Sequence, residues 1–364
     1  MRRLARIILL RPVLWFASKF SSKPDRVRIF GALDSLLKEI EEGQQKKGLV
    51  IPFDARTGKF IIFSDQHKGA RDGADDFKNC EVNYLAALTH YHNNGFYFIS
   101  LGDSEELWEN LLPAVKKHNK ENFEKEKAFV HRQAFIKIFG NHDLFWDNDP
   151  FAAMQLKSIY DTDIPIYEGV LLTTKTGGKD VRIFCTHGHQ GDKQSDGNWF
   201  SKFFVARIWA PLQAYLRINP NTPAYDASLK TEHNNIMYHW SSAQKDTVLV
   251  TGHTHQPVFE SLTHLERLYR DLLLAREKGD TDQVTVIQEE IARRKQSYDI
   301  VNEHYRTMKP SYFNSGCCCF SDGDITGIEI EEGQIRLVKW QTKGGQGPTR
   351  MILEDAGFDE IFNG

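Results

Sequence analysis

The sequence predicts an α/β fold in which each of five short strands delivers a polar motif at its carboxyl end. Three observations carry this reading. Apolar runs of strand length, bounded by Gly or polar residues, recur at Lys59–Ser64, Phe96–Leu101, Phe135–Phe139, Val181–Cys185 and Thr247–Thr251. Stretches of helical character, such as Asp76–His92 and Lys120–Gln133, lie between them, so strand and helix alternate as they do in a layered α/β domain. Every apolar run then ends in a polar block: Asp65-Gln66-His67, Gly102-Asp103, Gly140-Asn141-His142-Asp143, His187-Gly188-His189 and Gly252-His253-Thr254-His255. Carboxyl ends of strands are where such sheets put their chemistry.

The chain opens with Arg2, Arg3 and Arg6 ahead of the apolar Ile7–Leu10, broken at once by Arg11 and Pro12. No small-residue cleavage site follows cleanly, and no stretch reaches the roughly 20 apolar residues that span a bilayer. With Trp15, Phe16, Lys19 and Phe20, residues 1–20 suit a helix packed on the protein's own surface or, as the second choice, peripheral contact with a membrane. Residues 1–50 are expected to form a helical extension, and residues 51–364 one domain with two insertions.

The first insertion, Asp192–Asp246, carries Trp199, Phe200, Phe203, Phe204, Ile208, Trp209, Leu212, Tyr215 and Leu216 at helical spacing, more in keeping with packing than with a cap over a site. His233 and His239 in this insertion are expected on a helix surface. The second, Leu262–Met308, places Leu265, Leu268, Leu272 and Leu273 before Lys278-Gly279-Asp280, then Val286, Ile287, Ile291 and Tyr298. That is a helical hairpin by periodicity, serving as a cap or as a homodimer surface. Ile325–Ile330 and Gln334–Trp340 alternate around Glu331-Glu332-Gly333 and read as a terminal β-hairpin.

A net charge of −3 with acidic and basic residues well mixed gives no broad field for nucleic acid or anionic membrane. Five cysteines, three of them adjacent at Cys317, Cys318 and Cys319, match neither a secreted disulfide framework nor a C-x-x-C zinc pattern. A reducing, cytoplasmic setting follows, with peripheral contact at the inner membrane surface as an option. The cysteine triplet is expected to be small buried hydrophobes, because adjacent positions point to opposite faces. Cys185, inside an apolar strand, is expected to be inert core.

The polar blocks have the make-up of a two-metal phosphoesterase centre. Hydrolysing a phosphate ester near neutral pH needs an activated water and positive charge facing the phosphoryl oxygens, and two metal ions supply both. Holding them takes a bridging carboxylate, further oxygens and neutral imidazoles. Asp65 and His67, two residues apart at a strand end, can turn onto one ion. Asp103, after Gly102 on the next strand, is the natural bridge, and Gly102, Gly140 and Gly252 suit sharp turns towards the metals. No G-x-S-x-G elbow or P-loop offers a competing nucleophile.

In order and in residue type, these blocks resemble the signature of the calcineurin-like metallophosphoesterase superfamily over about Phe60–Gly316. The resemblance implies a four-layer β-sandwich flanked by helices, which the strand and helix alternation alone does not distinguish from an open parallel sheet. It implies that Asp65, His67, Asp103 and His255 bind one divalent ion, and that Asp103, Asn141, His187 and His253 bind the other. His189 is the alternative to His187 in its motif. His142 would stand next to the phosphate, stabilising the transition state or protonating the leaving oxygen, and Asp143 would orient that imidazole. In such enzymes a metal-bridging hydroxide attacks phosphorus in line. Oxygen-rich ligation favours Mn²⁺, with Fe and Zn²⁺ as alternatives.

Gly102-Asp103-Ser104-Glu105-Glu106-Leu107-Trp108 resembles the second motif of the branch containing UDP-2,3-diacylglucosamine diphosphatases, one form of which has Arg where His142 stands. This and the N-terminal segment point to a phosphorylated small molecule or a lipid-linked phosphate as substrate. A nuclease or cyclic-nucleotide phosphodiesterase would share the ligand set, but the mixed charges offer no clear nucleic-acid surface. A non-catalytic scaffold of the same fold, like the retromer subunit, typically lacks the equivalent of His142.

Overall fold

The computed structural model describes residues 24–72, 75–191, 227–294 and 308–363. Two seven-stranded mixed sheets lie face to face, so the fold is a sandwich and not an open parallel sheet. Numbered along the chain, the strands are β1 (Gly48–Pro52), β2 (Phe60–Phe63), β3 (Tyr97–Leu101), β4 (Phe135–Ile138), β5 (Ile166–Tyr167), β6 (Gly169–Thr176), β7 (Lys179–Thr186), β8 (Thr247–Thr251), β9 (Val258–Phe259), β10 (Leu262–Thr263), β11 (Tyr312–Asn314), β12 (Ile325–Glu331), β13 (Gln334–Gln341) and β14 (Thr349–Gly357). One sheet has the order β1-β6-β7-β8-β11-β9-β10 and the other β14-β13-β12-β2-β3-β4-β5. All five expected motif-bearing strands form. β2, β3 and β4 are parallel neighbours in one sheet, and β7 and β8 are parallel neighbours in the other.

Period-two alternation explains why these strands are apolar on both faces. Ile62, Ile99 and Ile138 point between the sheets and meet Leu172, Ile183 and Val250 from the opposite one. Ile61 and Phe63 point outwards onto α2 (Phe77–Asn93), through Phe77, Tyr84 and Leu88. On the other outer face, Leu171, Phe184 and Leu249 are covered by α1 (Arg26–Glu41) and by α4 (Ala227–Ala243), which brings Met237 and Trp240. Between α2 and α4 in the chain, α3 (Lys120–His131) adds Phe129 to the layer over β3. The layers are therefore helix, sheet, sheet, helix. β1, paired with β6 along Gly48–Pro52, crosses residue 50 and carries the sheet into the segment expected to be a separate extension.

The helical hairpin of the second insertion forms as α5 (His264–Lys278) and α6 (Thr281–Arg294). Thr263 and Glu266 make a reciprocal capping box at its start, and Gly279 closes α5 in the left-handed conformation, with φ of 73°. Leu265, Leu272, Ile287 and Ile291 join the two helices. The expected terminal hairpin needs correcting: β12 and β13 pair as read, but β14 adds a third antiparallel strand and α7 (Phe358–Asn363) follows it. β14 is hard to see in sequence because Met351, Ile352 and Leu353 are consecutive and all exposed, so the strand lacks alternation. The aromatic stretch Trp199–Leu216 and the segment 1–20 lie outside the described residues.

Candidate metal centre

All five motifs meet where the carboxyl ends of β2, β3, β4, β7 and β8 approach each other across the seam between the sheets. His187 Nε2 lies 3.1 Å from Asp103 Oδ2, and His255 Nε2 lies 3.1 Å from Asp65 Oδ1, each contact spanning the two sheets. His67 Nε2 is 3.2 Å from His255 Nε2, and Asn141 Oδ1 is 3.3 Å from His187 Nε2. Asp103, His187 and His253 bring donor atoms within 4.8 Å of one another, as do His67, Asp103 and His142, and again His67, His255 and Cys319. His189 packs its ring 5.4 Å from that of His187, and it is His187 that faces Asp103.

The backbone is bent to achieve this. Asp65, His67, Asp103, His253 and His255 all have positive φ, between 51° and 69°, a region uncommon for residues with a Cβ and concentrated at functional sites. Gly102, with φ of 88°, fits the expected sharp turn. Gly140 is needed for a different reason: a Cβ there would collide with the Asp103 side chain and backbone, so its role is close approach.

The electrostatics are those of a cation site. Burial alone would raise the Asp103 carboxyl, but His187, His142 and His67 hold it well below the usual carboxylate range. Burial and the neighbouring His233 and His187 push the His253 imidazole well below its ordinary value, leaving it neutral as a ligand must be. His142 Nε2 and His253 Nε2 are buried atoms with no hydrogen-bond partner. Buried polar atoms are rarely left so, and two of them beside the clustered donors of Asp103, His187 and His253 fit metal ions of N/O preference. Asp65, Asp103, Asn141 and the imidazoles of His67, His187, His253 and His255 supply the donors.

The expected contact between Asp143 and His142 is not what the structure shows. The Asp143 carboxylate accepts from the backbone amides of Gly140 at 2.6 Å and Ser104 at 2.9 Å, tying two motif loops together. His142 Nδ1 instead meets Glu106 Oε2 at 2.8 Å, and the same carboxylate oxygen meets His67 Nδ1 at 2.8 Å. Adjacent residues on a tight turn diverge, so Asp143 cannot both serve the loop and reach its neighbour's ring. Glu106 was missed as a site residue; its signal was the acidic extension of the second motif. Burial would raise the Glu106 carboxyl, yet His142 and His67 bring it to about 2. Burial would lower His142, yet Glu106 and Asp103 raise it to about 9. Trp108 stacks on the same ring at 4.1 Å between centroids.

Two further expectations change. His233 is buried on α4, its Nε2 2.9 Å from the Gly188 carbonyl and its ring 5.1 Å from that of His253. It therefore faces the site, whereas His239 is exposed as expected. Cys318 does pack in the core, but Cys319 emerges beside the metal-site histidines, its Sγ 3.6 Å from His255 Nδ1. The opposite-faces argument separates residue 318 from 319; it does not remove 319 from the site.

Against known proteins, the profile of the calcineurin-like phosphoesterase family matches residues 58–257, which include every motif residue from Asp65 to His255. Among solved structures, Vacuolar Protein Sorting 29 from Cryptosporidium parvum aligns at 10% identity and a TM-score of 0.33, over 82% of this chain and 98% of that one. A dimetal phosphatase from Danio rerio aligns at 7% identity and a TM-score of 0.29, over 82% and 100%. No protein of curated function matches.

Proposed function

The chain belongs to the calcineurin-like phosphoesterase family and is a metal-dependent phosphoric ester hydrolase, and from that premise we propose how its residues divide the work. Asp65, His67, Asp103 and His255 hold one divalent ion, and Asp103, Asn141, His187 and His253 the other. Bound there, the ions supply Lewis acidity and an activated water. The observation that carries this reading is the convergence of donor atoms of Asp103, His187 and His253 within 4.8 Å of one another, with His253 Nε2 buried and without a hydrogen-bond partner.

His142 is the proton-handling residue. Glu106 holds its Nδ1, Trp108 stacks on one face of the ring, and the Glu106 carboxylate, outweighing burial, raises its pKa and favours the protonated imidazole. A proton at Nε2 is then available to the developing negative charge of a phosphoryl or leaving-group oxygen. Replacing His142 with Ala should lower kcat by about 10²–10⁴-fold while both ions remain bound. Loss of an ion in that variant would make His142 a ligand and remove the assignment.

For the substrate we favour a lipid-linked phosphate ester or pyrophosphate, with Mn²⁺ as the metal. The support is the resemblance of Gly102–Trp108 to the UDP-2,3-diacylglucosamine diphosphatase branch, the basic and apolar residues 1–20, and the oxygen share of the ligand set. Peripheral membrane contact through residues 1–20 belongs to the same reading; among the described residues no helix is long and apolar enough to cross a membrane. The test is hydrolysis of a phosphomonoester, a phosphodiester and a nucleotide-diphosphate-linked lipid analogue, each with Mn²⁺ and with chelator. Preference for the lipid analogue supports the proposal. Preference for a water-soluble diester, or unchanged membrane association after deletion of residues 1–22, counts against it.

A further inference from the structure

Metal-binding imidazoles are ordinarily held by a hydrogen bond at the ring nitrogen that faces away from the ion, and the partner is usually an oxygen. Two of the proposed ligands follow this rule. His67 offers Nδ1 to Glu106 at 2.8 Å, and His187 offers Nδ1 to the Leu101 carbonyl at 2.9 Å. His255 has the same orientation, Nε2 inwards towards Asp65, but at its Nδ1 stands a sulfur, Cys319 Sγ at 3.6 Å. Cys319 is partly exposed, unlike the buried Cys80, Cys185, Cys317 and Cys318.

We propose that Cys319 is the positioning residue for His255 and, through it, for the ion on the His67–His255 half of the metal centre. The proposal rests on the dinuclear reading above. As the thiol, Cys319 accepts from Nδ1–H, which fixes the tautomer with the Nε2 lone pair turned inwards. The half of the centre built on Asp103, His187 and His253 has no sulfur neighbour of this kind among the described residues.

The experiment is cobalt titration of the full-length protein and of Cys319→Ala, Cys319→Ser and Cys318→Ala, followed by visible absorption and by metal content after gel filtration. Cys319→Ala should weaken one of two cobalt ions roughly 10- to 100-fold and leave the other unchanged. Cys319→Ser, whose hydroxyl can take the same hydrogen bond, should restore it. Cys318→Ala, a core truncation, should lower the melting temperature without separating the two ions. Equal cobalt binding by Cys319→Ala and the native protein overturns the proposal. So does a thiolate-to-cobalt charge-transfer band in the native protein, which would make Cys319 a direct ligand. A native protein that binds no cobalt overturns the dinuclear reading itself.

Discussion

Two clusters of buried charge sit back to back on the same loops, and they differ in whether the protein completes them. Behind the motifs, Lys68, Glu105, Glu126 and Lys137 are all almost fully buried. Lys137 Nζ is 2.9 Å from Glu105 Oε2, Lys68 Nζ is 3.2 Å from Glu105 Oε1 and 2.5 Å from Glu126 Oε1. Trp146 donates to Glu105 at 2.7 Å, and Tyr84 and Tyr160 donate to Glu126 at 2.9 and 2.6 Å. Two cations balance two anions, and the carboxylate oxygens are satisfied. In front, one residue away at His67 and two away at Asp103, the carboxylates and imidazoles leave His142 Nε2 and His253 Nε2 unanswered. A closed set of buried charges is scaffold, and an open one is a site awaiting a ligand.

The sharpest way to break this comparison is at its front. Asp103→Ala should abolish turnover and binding at both metal positions while the fold survives, read by metal content and circular dichroism; a variant still holding two ions would remove Asp103 as the bridge. At the back, Lys137→Met leaves Glu105 short of one cation and should cost about 3–5 kcal/mol of stability with metal stoichiometry intact, seen in denaturant titration. If Lys137→Met instead stripped the metals at unchanged stability, scaffold and site would not be separable. Between the two lies Glu106→Gln, which should weaken metal binding by roughly 10–100-fold through His67 and slow turnover through His142. An effect on stability alone would assign Glu106 to the scaffold.

The smallest expected effect is on pH. Burial would raise the Glu105 carboxyl, but Lys137 and Lys68 bring it from 4.5 to about 2. A carboxyl depressed in the folded state adds stability that is complete above about pH 4.5 and lost as pH falls towards about 2. The denaturation midpoint of chelated protein should therefore decline across that window, and Lys137→Met should flatten the decline. An identical decline in both proteins would mean that other carboxyls govern it.

The two clusters were unequally legible in the sequence. His67, Asp103, His187 and His255 sit in short blocks at strand ends, where residue type and spacing already imply ligation. Lys68 and Lys137 could not be read in the same way, because a lysine beside a motif looks like any surface charge until Glu126 arrives from α3. Glu106 and Cys319 fall between these cases: both were visible, one as part of an acidic extension and one within a cysteine triplet, but their partners are imidazole nitrogens supplied by other loops. The parallel strands were legible from their short apolar runs, while β14 was not, since its exposed Met351, Ile352 and Leu353 carry no period. Stacking of the two sheets depends on contacts between distant segments, which strand periodicity does not encode.

The positive φ angles at Asp65, His67, Asp103, His253 and His255 have a consequence for anyone engineering this chain. At such a position glycine is the relaxed residue, so replacing a ligand with Gly trades chemistry for backbone comfort, whereas Ala forfeits the chemistry and keeps the strain. His67→Gly and His67→Ala would be equally unable to ligate, yet the glycine form should be the sturdier protein. A search for stabilising substitutions that ignored activity would thus drift towards glycine at the residues that make the protein an enzyme.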